Sequence, residues 1–448
     1  MRRAVATVLR ARYPPTTLTG VQVLRELKLL LRGPDFRKLF AVRLTSQLGD
    51  GIFEVGLATL FFFSPEKSST ATGVAVAFAV LLLPFTLVGP WAGVLLDRWQ
   101  RRQVLYVGNL VRFGLALLIA AAMLTVGVGP AVYVLALVEL SVNRFLLSAL
   151  SAALPRVVDG ELLITANSLT PTLGAVAAGV GGGVGLVLGL VLTPGRTKDA
   201  AVLTLAGVIF AVASILATRM DRALLGPAAR ERAGLGSVRA SLANLAIGLL
   251  DGARHLRRRR TPSSALAVMA THRFLFGVVF IASILISRNL LADPADSGAG
   301  LRSFSTVLVA AAAGFVLAAV VTPVLSPRVR PHAWIVWCLL VAAVSQFLLT
   351  VTISRWALLV GALALGFAAE GAKIAVDTIV QRDTDDAFRG RAFALYDVLY
   401  NGAFVGASAL AAWVLPDTGY SRPVFAALTL IYVATATAYG RARAAPHP

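Results

Sequence analysis

The chain has 448 residues, 57% of them hydrophobic and only 14% charged, with a formal net charge of +20 and a mean hydropathy of +0.78. Soluble chains carry about 25% charged residues, so this composition excludes an ordinary soluble domain, and apolar runs long enough to cross a bilayer recur along it. The ~10-residue alternation of a transmembrane barrel does not occur, and a single cysteine, Cys338, excludes an internal disulfide.

Residues 1–38 read as a basic tail without the apolar core of a cleaved signal; "VLRELKLLLRG" within it reads as a short interfacial helix. Spans follow at 39–63, 71–96, 104–127, 130–153, 162–193 and 199–218. A long polar segment occupies 219–262, and further spans lie at 264–291, 302–325, 332–353, 356–380, 390–415 and 421–440, before a tail at 441–448. The expected fold is all-α and integral to the membrane, with twelve transmembrane helices in two six-helix bundles at 39–218 and 263–440. Alternate loops differ in charge. About thirty Lys and Arg fall on the side of the tails, Arg98, Arg101, Arg102, the central segment, Arg382 and Arg389, against about seven on the other side. The positive-inside rule then places both termini in the cytoplasm of an inner (plasma) membrane protein, and accounts for the +20 without nucleic acid. In the central segment, Val238, Leu242, Leu245, Leu249 and Leu256 share a helical face followed by Arg254 and Arg257 to Arg260, which reads either as a helix on anionic lipid or as a solvated linker. "LPRVVDGELLITANSL" after the fourth span and "VQRDTDDAFRGRAFAL" after the tenth both carry Arg-x-x-Asp, Arg156–Asp159 and Arg382–Asp385, a weak echo between halves.

Charge also lies inside the spans. Arg43, Gln47, Asp50 and Glu54 share one face of the first helix. By rise per residue, Asp50 and Arg144 lie about 11 and 9 residues from the basic side, so they are expected to pair, and Glu54 and Glu139 share a level at about 15 and 14. Two carboxylates at one level cannot both ionise cheaply, which makes Glu54, Glu139 and Asp50 the proton-coupling candidates. Glu370, Lys373 and Asp377 share a face of the tenth helix, and Asp397, Tyr400 and Asn401 make one side of the eleventh polar. Arg112 is expected to pair or snorkel, and His272 to be packing. The fifth helix, with Gly174, Gly179, Gly181, Gly182, Gly183 and Gly185, reads as a packing and hinge element. No Cys/His cluster has metal-ligand spacing, no Ser–His–acid set is identifiable and no nucleotide signature occurs. The chain is therefore expected to lack metal, cofactor and catalytic residues, and to draw on gradients.

"GVLLDRWQRRQVL" resembles the signature of the major facilitator superfamily in the loop after the second span. Gly93, Asp97, Arg98, Arg101 and Arg102 match it, and Gln100 stands where the family usually has glycine. "QLGDGIFEVGL", "GPWAGVLLDR", "ITANSL" and "FRGRAFALYDVLYN" further resemble the branch containing enterobactin exporters and macrolide efflux permeases. The resemblance implies two pseudo-symmetric halves rocking around a midplane site. It implies a gate in which Gly93, Asp97, Arg98, Arg101 and Arg102 latch the halves, Asp97 meeting the eleventh helix near Phe388 to Arg391. It also implies a cavity lined by the first, fourth, seventh and tenth helices, where Asp50, Glu54, Glu139, Asn143, Arg144, Glu370, Asp397, Tyr400 and Asn401 are the candidates. Arg144 resembles a fourth-helix arginine of drug/proton antiporters. The function implied is proton-coupled export of amphiphilic organic molecules, a drug or a siderophore-like metabolite, by a monomer whose partners are the bilayer, its substrate and protons. A lipid or lysolipid flippase and a non-transporting scaffold or receptor are the alternatives.

Overall fold

A computed structural model describes residues 27–63, 70–74, 76–77, 96, 98–158, 160–193, 195–226, 238–293, 296–325 and 328–444. Its helices are α1 (Pro34–Phe63), α2 (Arg101–Thr125), α3 (Pro130–Ala153), α4 (Gly160–Val191), α5 (Arg196–Thr218), α6 (Val238–Arg258), α7 (Arg260–Asn289), α8 (Ser297–Leu325), α9 (Pro331–Val351), α10 (Arg355–Asp383), α11 (Asp386–Val414) and α12 (Arg422–Ala444). Most of the second expected span, with Gly93 and Asp97, lies outside the described residues, as does most of the N-terminal tail. Local chemistry sets the breaks. Gly127 takes φ 81° after α2, where its amide closes on Ala122 O at 3.0 Å, and Pro130 starts α3 where a missing N–H costs nothing. Ser354 caps α10 by accepting from the Ala357 amide at 3.1 Å.

Nine of the described helices are long and apolar enough to span a bilayer. α1 and α11 have the length, but the polar faces carrying Asp50, Glu54 and Asp397 keep them out of that set. The outer surface is what lipid requires: Val309, Val316, Val320 and Val324 are exposed along α8, as are Val344 and Phe347 on α9. Trp356 and Trp413 stand exposed at one end of the bundle and Trp99 at the other, as interfacial belts do.

The two halves repeat one packing scheme. α1 packs on α4 and α7 on α11; α2 packs on α5 and α9 on α12; α2 also meets α3 as α9 meets α10. Each pair recurs six spans later, which is the pseudo-symmetry of two six-helix bundles. Glycine permits the closest crossings. Gly51 of α1 lies against the Ala178 carbonyl of α4, Gly181 of α4 against the Leu48 carbonyl of α1, and Gly314 of α8 against the Leu363 carbonyl of α10. Between the halves, α8 touches α1 and α4. At the end opposite the basic loops Arg288 donates to the Phe62 carbonyl, while Asp417 accepts from the Ala71 amide at 2.9 Å. A cation thus meets the last turn of α1 and an anion the first amide of the next helix, both favourable to the helix dipoles.

The amphipathic segment of the linker is helical, as its pattern indicates, but it docks on protein along one side. α6 lies on α11 and α7. His255 stacks on Phe388 at 4.1 Å between ring centroids, Gly252 faces the Arg391 side chain, and Leu256 is buried. Arg259 then donates to Asp385 at 2.6 Å. Ile247 and Leu250 remain exposed on the other side.

Candidate functional site

The middle of the first half is organised by Arg112, which is 0% exposed. Its Nε donates to Glu139 Oε1 at 2.6 Å, one Nη to Asp50 Oδ1 at 2.5 Å and the other to Ser46 Oγ at 3.2 Å. The guanidinium lies 3.7 Å from the Phe210 ring centroid. The Ser46 hydroxyl donates to Asn109 Oδ1 at 2.9 Å, and Asn109 Nδ2 donates to the Leu105 carbonyl at 2.8 Å. One planar fork therefore joins α1, α2 and α3 and stacks on α5, a set of contacts suited to arginine and unsuited to lysine. Two carboxylates face this single cation, and Glu139 Oε2 and Asn143 Oδ1 are buried without a hydrogen-bond partner.

The expected Asp50–Arg144 pair does not form. Depth fails to discriminate between the two cations. Asp50 lies thirteen residues before the end of α1 at Phe63, Arg112 thirteen before the end of α2 at Thr125, and Arg144 fourteen after the start of α3 at Pro130. The azimuth decides. Glu139 and Asn143, four apart, share the α3 face turned to Asp50, and Arg144 is rotated a further ~100° away. Arg144 reaches instead across to the second half, where its Nη2 lies 3.8 Å from Asp397 Oδ2, with side chains 24% and 62% exposed. The signal for Arg112 was present in the sequence, since it is the one charged residue of its helix beyond the first turn and lies at the depth of Asp50.

Glu54 differs from its neighbours. Asp50 and Glu139 are buried, whereas Glu54 is exposed and makes no hydrogen bond or ion pair among the described residues. It remains within electrostatic reach of Asp50, Glu139 and Arg112, so the expected proximity of Glu54 and Glu139 is present. α1 is flanked by α2, α3, α4 and α5 and touched by α8. Asp397, eleven residues into α11, is likewise exposed, at 62%.

In the second half Lys373 donates to Asp377 at 2.8 Å and lies within electrostatic reach of Asp397. Glu370 is partly buried beside Lys373. Tyr400 meets Tyr396 edge to face at 5.9 Å, and Asn401 donates to the Asp397 carbonyl at 2.9 Å. His272 is buried and within 3.1 Å of the Tyr432 hydroxyl, a packing role as expected. Of the basic motif, Arg102 donates to the Thr218 carbonyl at the last residue of α5 at 3.1 Å, and Arg101 to the Leu225 carbonyl in the turn beyond it at 3.2 Å. Arg98 is partly buried beside them. At Phe388 and Arg391 the structure places His255 and Gly252 of α6, while Asp97 lies outside the described residues. No group of three or more His, Cys, Asp or Glu with metal-holding geometry occurs among the described residues.

The Arg144–Asp397 pair is partly solvated, and pairs of that kind are worth about 0–1 kcal/mol. Asp397→Asn should therefore change unfolding stability by less than about 1 kcal/mol, read as a melting shift of the purified protein in detergent. A larger loss would show the pair to be structural.

Two helical bundles carrying charged side chains at mid-span are the architecture of a secondary transporter. Comparison with known proteins agrees. The chain is 35% identical over 393 residues, 88% of its length and 87% of theirs, to proteins of Mycobacterium bovis and Mycobacterium tuberculosis, each named an uncharacterized MFS-type transporter. It belongs to that family, the major facilitator superfamily, and is a multi-pass membrane transporter. Among solved structures, the nucleoside transporter NupG superimposes with a TM-score of 0.64 at 12% identity, covering 91% of this chain and 99% of that one. A POT peptide transporter does so at 0.66 and 13%, covering 90% and 93%. These two share the fold. No protein-family model matches the chain.

Proposed function

We propose that the protein is a proton-coupled exporter of amphiphilic small organic molecules that works by alternating access of its two halves, with Glu54 as the group that gains and loses the proton. The observation that carries this reading is the contrast on α1. Asp50 is committed to Arg112 in a buried network, while Glu54, one turn on, is exposed and uncommitted. Glu139 contributes a second carboxylate whose Oε2 has no partner. Protonation of Glu54 removes a negative charge beside Glu139 and Asp50, and so changes the field in the space between the halves. The Arg144–Asp397 pair, which spans that space, is the contact positioned to break as the halves move. The excess of Lys and Arg in alternate loops supports cytoplasmic termini in a plasma membrane, and the resemblance to exporters supports the outward direction. The cytoplasmic gate assigned to Gly93, Asp97, Arg98, Arg101 and Arg102, and a monomeric state, belong to the same reading.

The test is flux in proteoliposomes. A pH jump drives accumulation of a fluorescent amphiphile in the wild type. Glu54→Gln lowers gradient-driven flux by about tenfold or more and leaves substrate exchange at zero gradient intact. Flux that ignores both the gradient and Glu54→Gln removes proton coupling.

One feature favours a second reading, a lipid or lysolipid flippase. α6 leaves Ile247 and Leu250 exposed beside Arg254, Arg257 and Arg258, a face suited to a membrane surface. Under that reading short-chain lipid analogues cross faster than soluble dyes of equal size.

A further inference from the structure

Arg273 of α7 is the charged side chain that the arrangement above leaves unused. It lies sixteen residues before the end of α7 at Asn289, and so at mid-bilayer depth. It is partly buried, and its guanidinium is held by rings alone. Its Cζ lies 4.1 Å from the Phe404 ring centroid, 4.2 Å from Tyr400 and 5.3 Å from Phe276. Its Nε is buried without a hydrogen-bond partner, and no carboxylate pairs with it among the described residues. Two acids of the helices packed on α7 are engaged elsewhere: Asp377 of α10 with Lys373 and Asp397 of α11 with Arg144. Aromatic faces attract and orient a guanidinium but do not cancel its charge. An intramembrane cation with no internal counter-ion marks a place where a mobile anion completes the pair.

We infer that Arg273, with Tyr400, Phe404 and Phe276, is a binding subsite for the anionic group of an amphiphilic organic acid, a soluble carboxylate with an apolar, aromatic-compatible body. The fork of the guanidinium matches a carboxylate's two oxygens, and the rings that hold it supply contact for the body attached to that carboxylate. A bound molecule would then place its anionic end on α7 and its apolar body against Tyr400 and Phe404 of α11. The inference rests on the transport reading for the route of the ligand, but its test reads binding separately.

The experiment uses the full chain in zwitterionic detergent and three probes sharing one ring system: 2-naphthylacetate, its methyl ester, and 2-(2-naphthyl)ethylamine. Binding is read from the concentration dependence of thermal stabilisation. The carboxylate is expected to bind at least about tenfold more tightly than the ester or the amine. Arg273→Gln abolishes that preference without abolishing folding. Arg273→Lys, which keeps the charge but loses the fork, retains a weakened preference. Equal binding of the three probes, absence of binding by any, or a preference untouched by Arg273→Gln overturns the inference. The wild-type comparison is decisive even if Arg273→Gln fails to fold. Displacement of naphthylacetate by phosphatidylglycerol, but not phosphatidylcholine, in nanodiscs assigns Arg273 to a lipid headgroup and overturns the soluble-acid source. Selective binding without counterflow in proteoliposomes upholds the subsite and overturns the transport reading instead.

Discussion

Arg112→Met is expected to destabilise the protein by about 3–5 kcal/mol, the range found when one partner of a buried ion network is removed. Arg112 is wholly buried, and its loss leaves Asp50 and Glu139 facing each other, deprived of the hydrogen bonds at 2.5 and 2.6 Å that hold them. It also removes the stacking on Phe210 that ties α2 to α5. The physical cause is the stranded charge, and that makes a specific rescue available. Adding Asp50→Asn and Glu139→Gln to Arg112→Met should recover most of the loss, because the carboxylates no longer carry charge into a site without a counter-ion. Arg112→Lys should fall between, since an ammonium cannot span α1 and α3 and lie flat on Phe210. Melting of the purified protein in detergent, with monodispersity as a second readout, checks all three variants. A loss below about 1 kcal/mol for Arg112→Met would show that the network contributes little to the fold.

The second large effect is expected at the α1–α4 crossing. A Cβ at Gly51 would fall on the Ala178 carbonyl oxygen and within 2.6 Å of the Gly182 amide nitrogen, and one at Gly181 on the Leu48 carbonyl. These neighbours are backbone, so no rotamer change relieves the overlap and the helices must separate. Overpacking typically costs about 1–3 kcal/mol, and Gly51→Ala and Gly181→Ala should each reach the upper part of that range. Gly179, on α4 two residues from Gly181, faces open space where a Cβ meets nothing within 4 Å. Gly179→Ala should be neutral or gain up to about 1 kcal/mol from helix propensity. The contrast between two alanines two residues apart on one helix separates contact from propensity, and comparative melting measures it.

Much of the candidate site was legible in the sequence because a charge in a membrane span is conspicuous by itself. Asp50, Glu54, Glu139, Arg144, Lys373 and Asp397 all stand out against apolar runs, and counting residues from the helix ends placed Glu54 near Glu139 correctly. The pairing was not legible. Depth is a one-dimensional coordinate, and Asp50, Arg112 and Arg144 nearly coincide in it, so only the rotation of α3 relative to α1 and α2 shows that Arg112 takes both acids and Arg144 faces the other half. The linker helix shows the same limit. Its periodicity predicts a helix, but a face of leucines and glycines suits a lipid surface and another helix equally, and the stacking of His255 on Phe388 depends on where α11 begins in space.

By itself the sequence determined the class of solvent, the number and length of the spans, the doubled plan and the residues too polar to face lipid. All of these follow from local composition, since the bilayer requires every span to bury its backbone in its own helix. Only the tertiary structure decided which charges neutralise one another, which is left exposed at Glu54, and which, at Arg273, is held by rings without a counter-ion among the described residues. Ion pairing acts over about 4 Å, and no pattern along one chain fixes distances of that size between helices that meet only after packing.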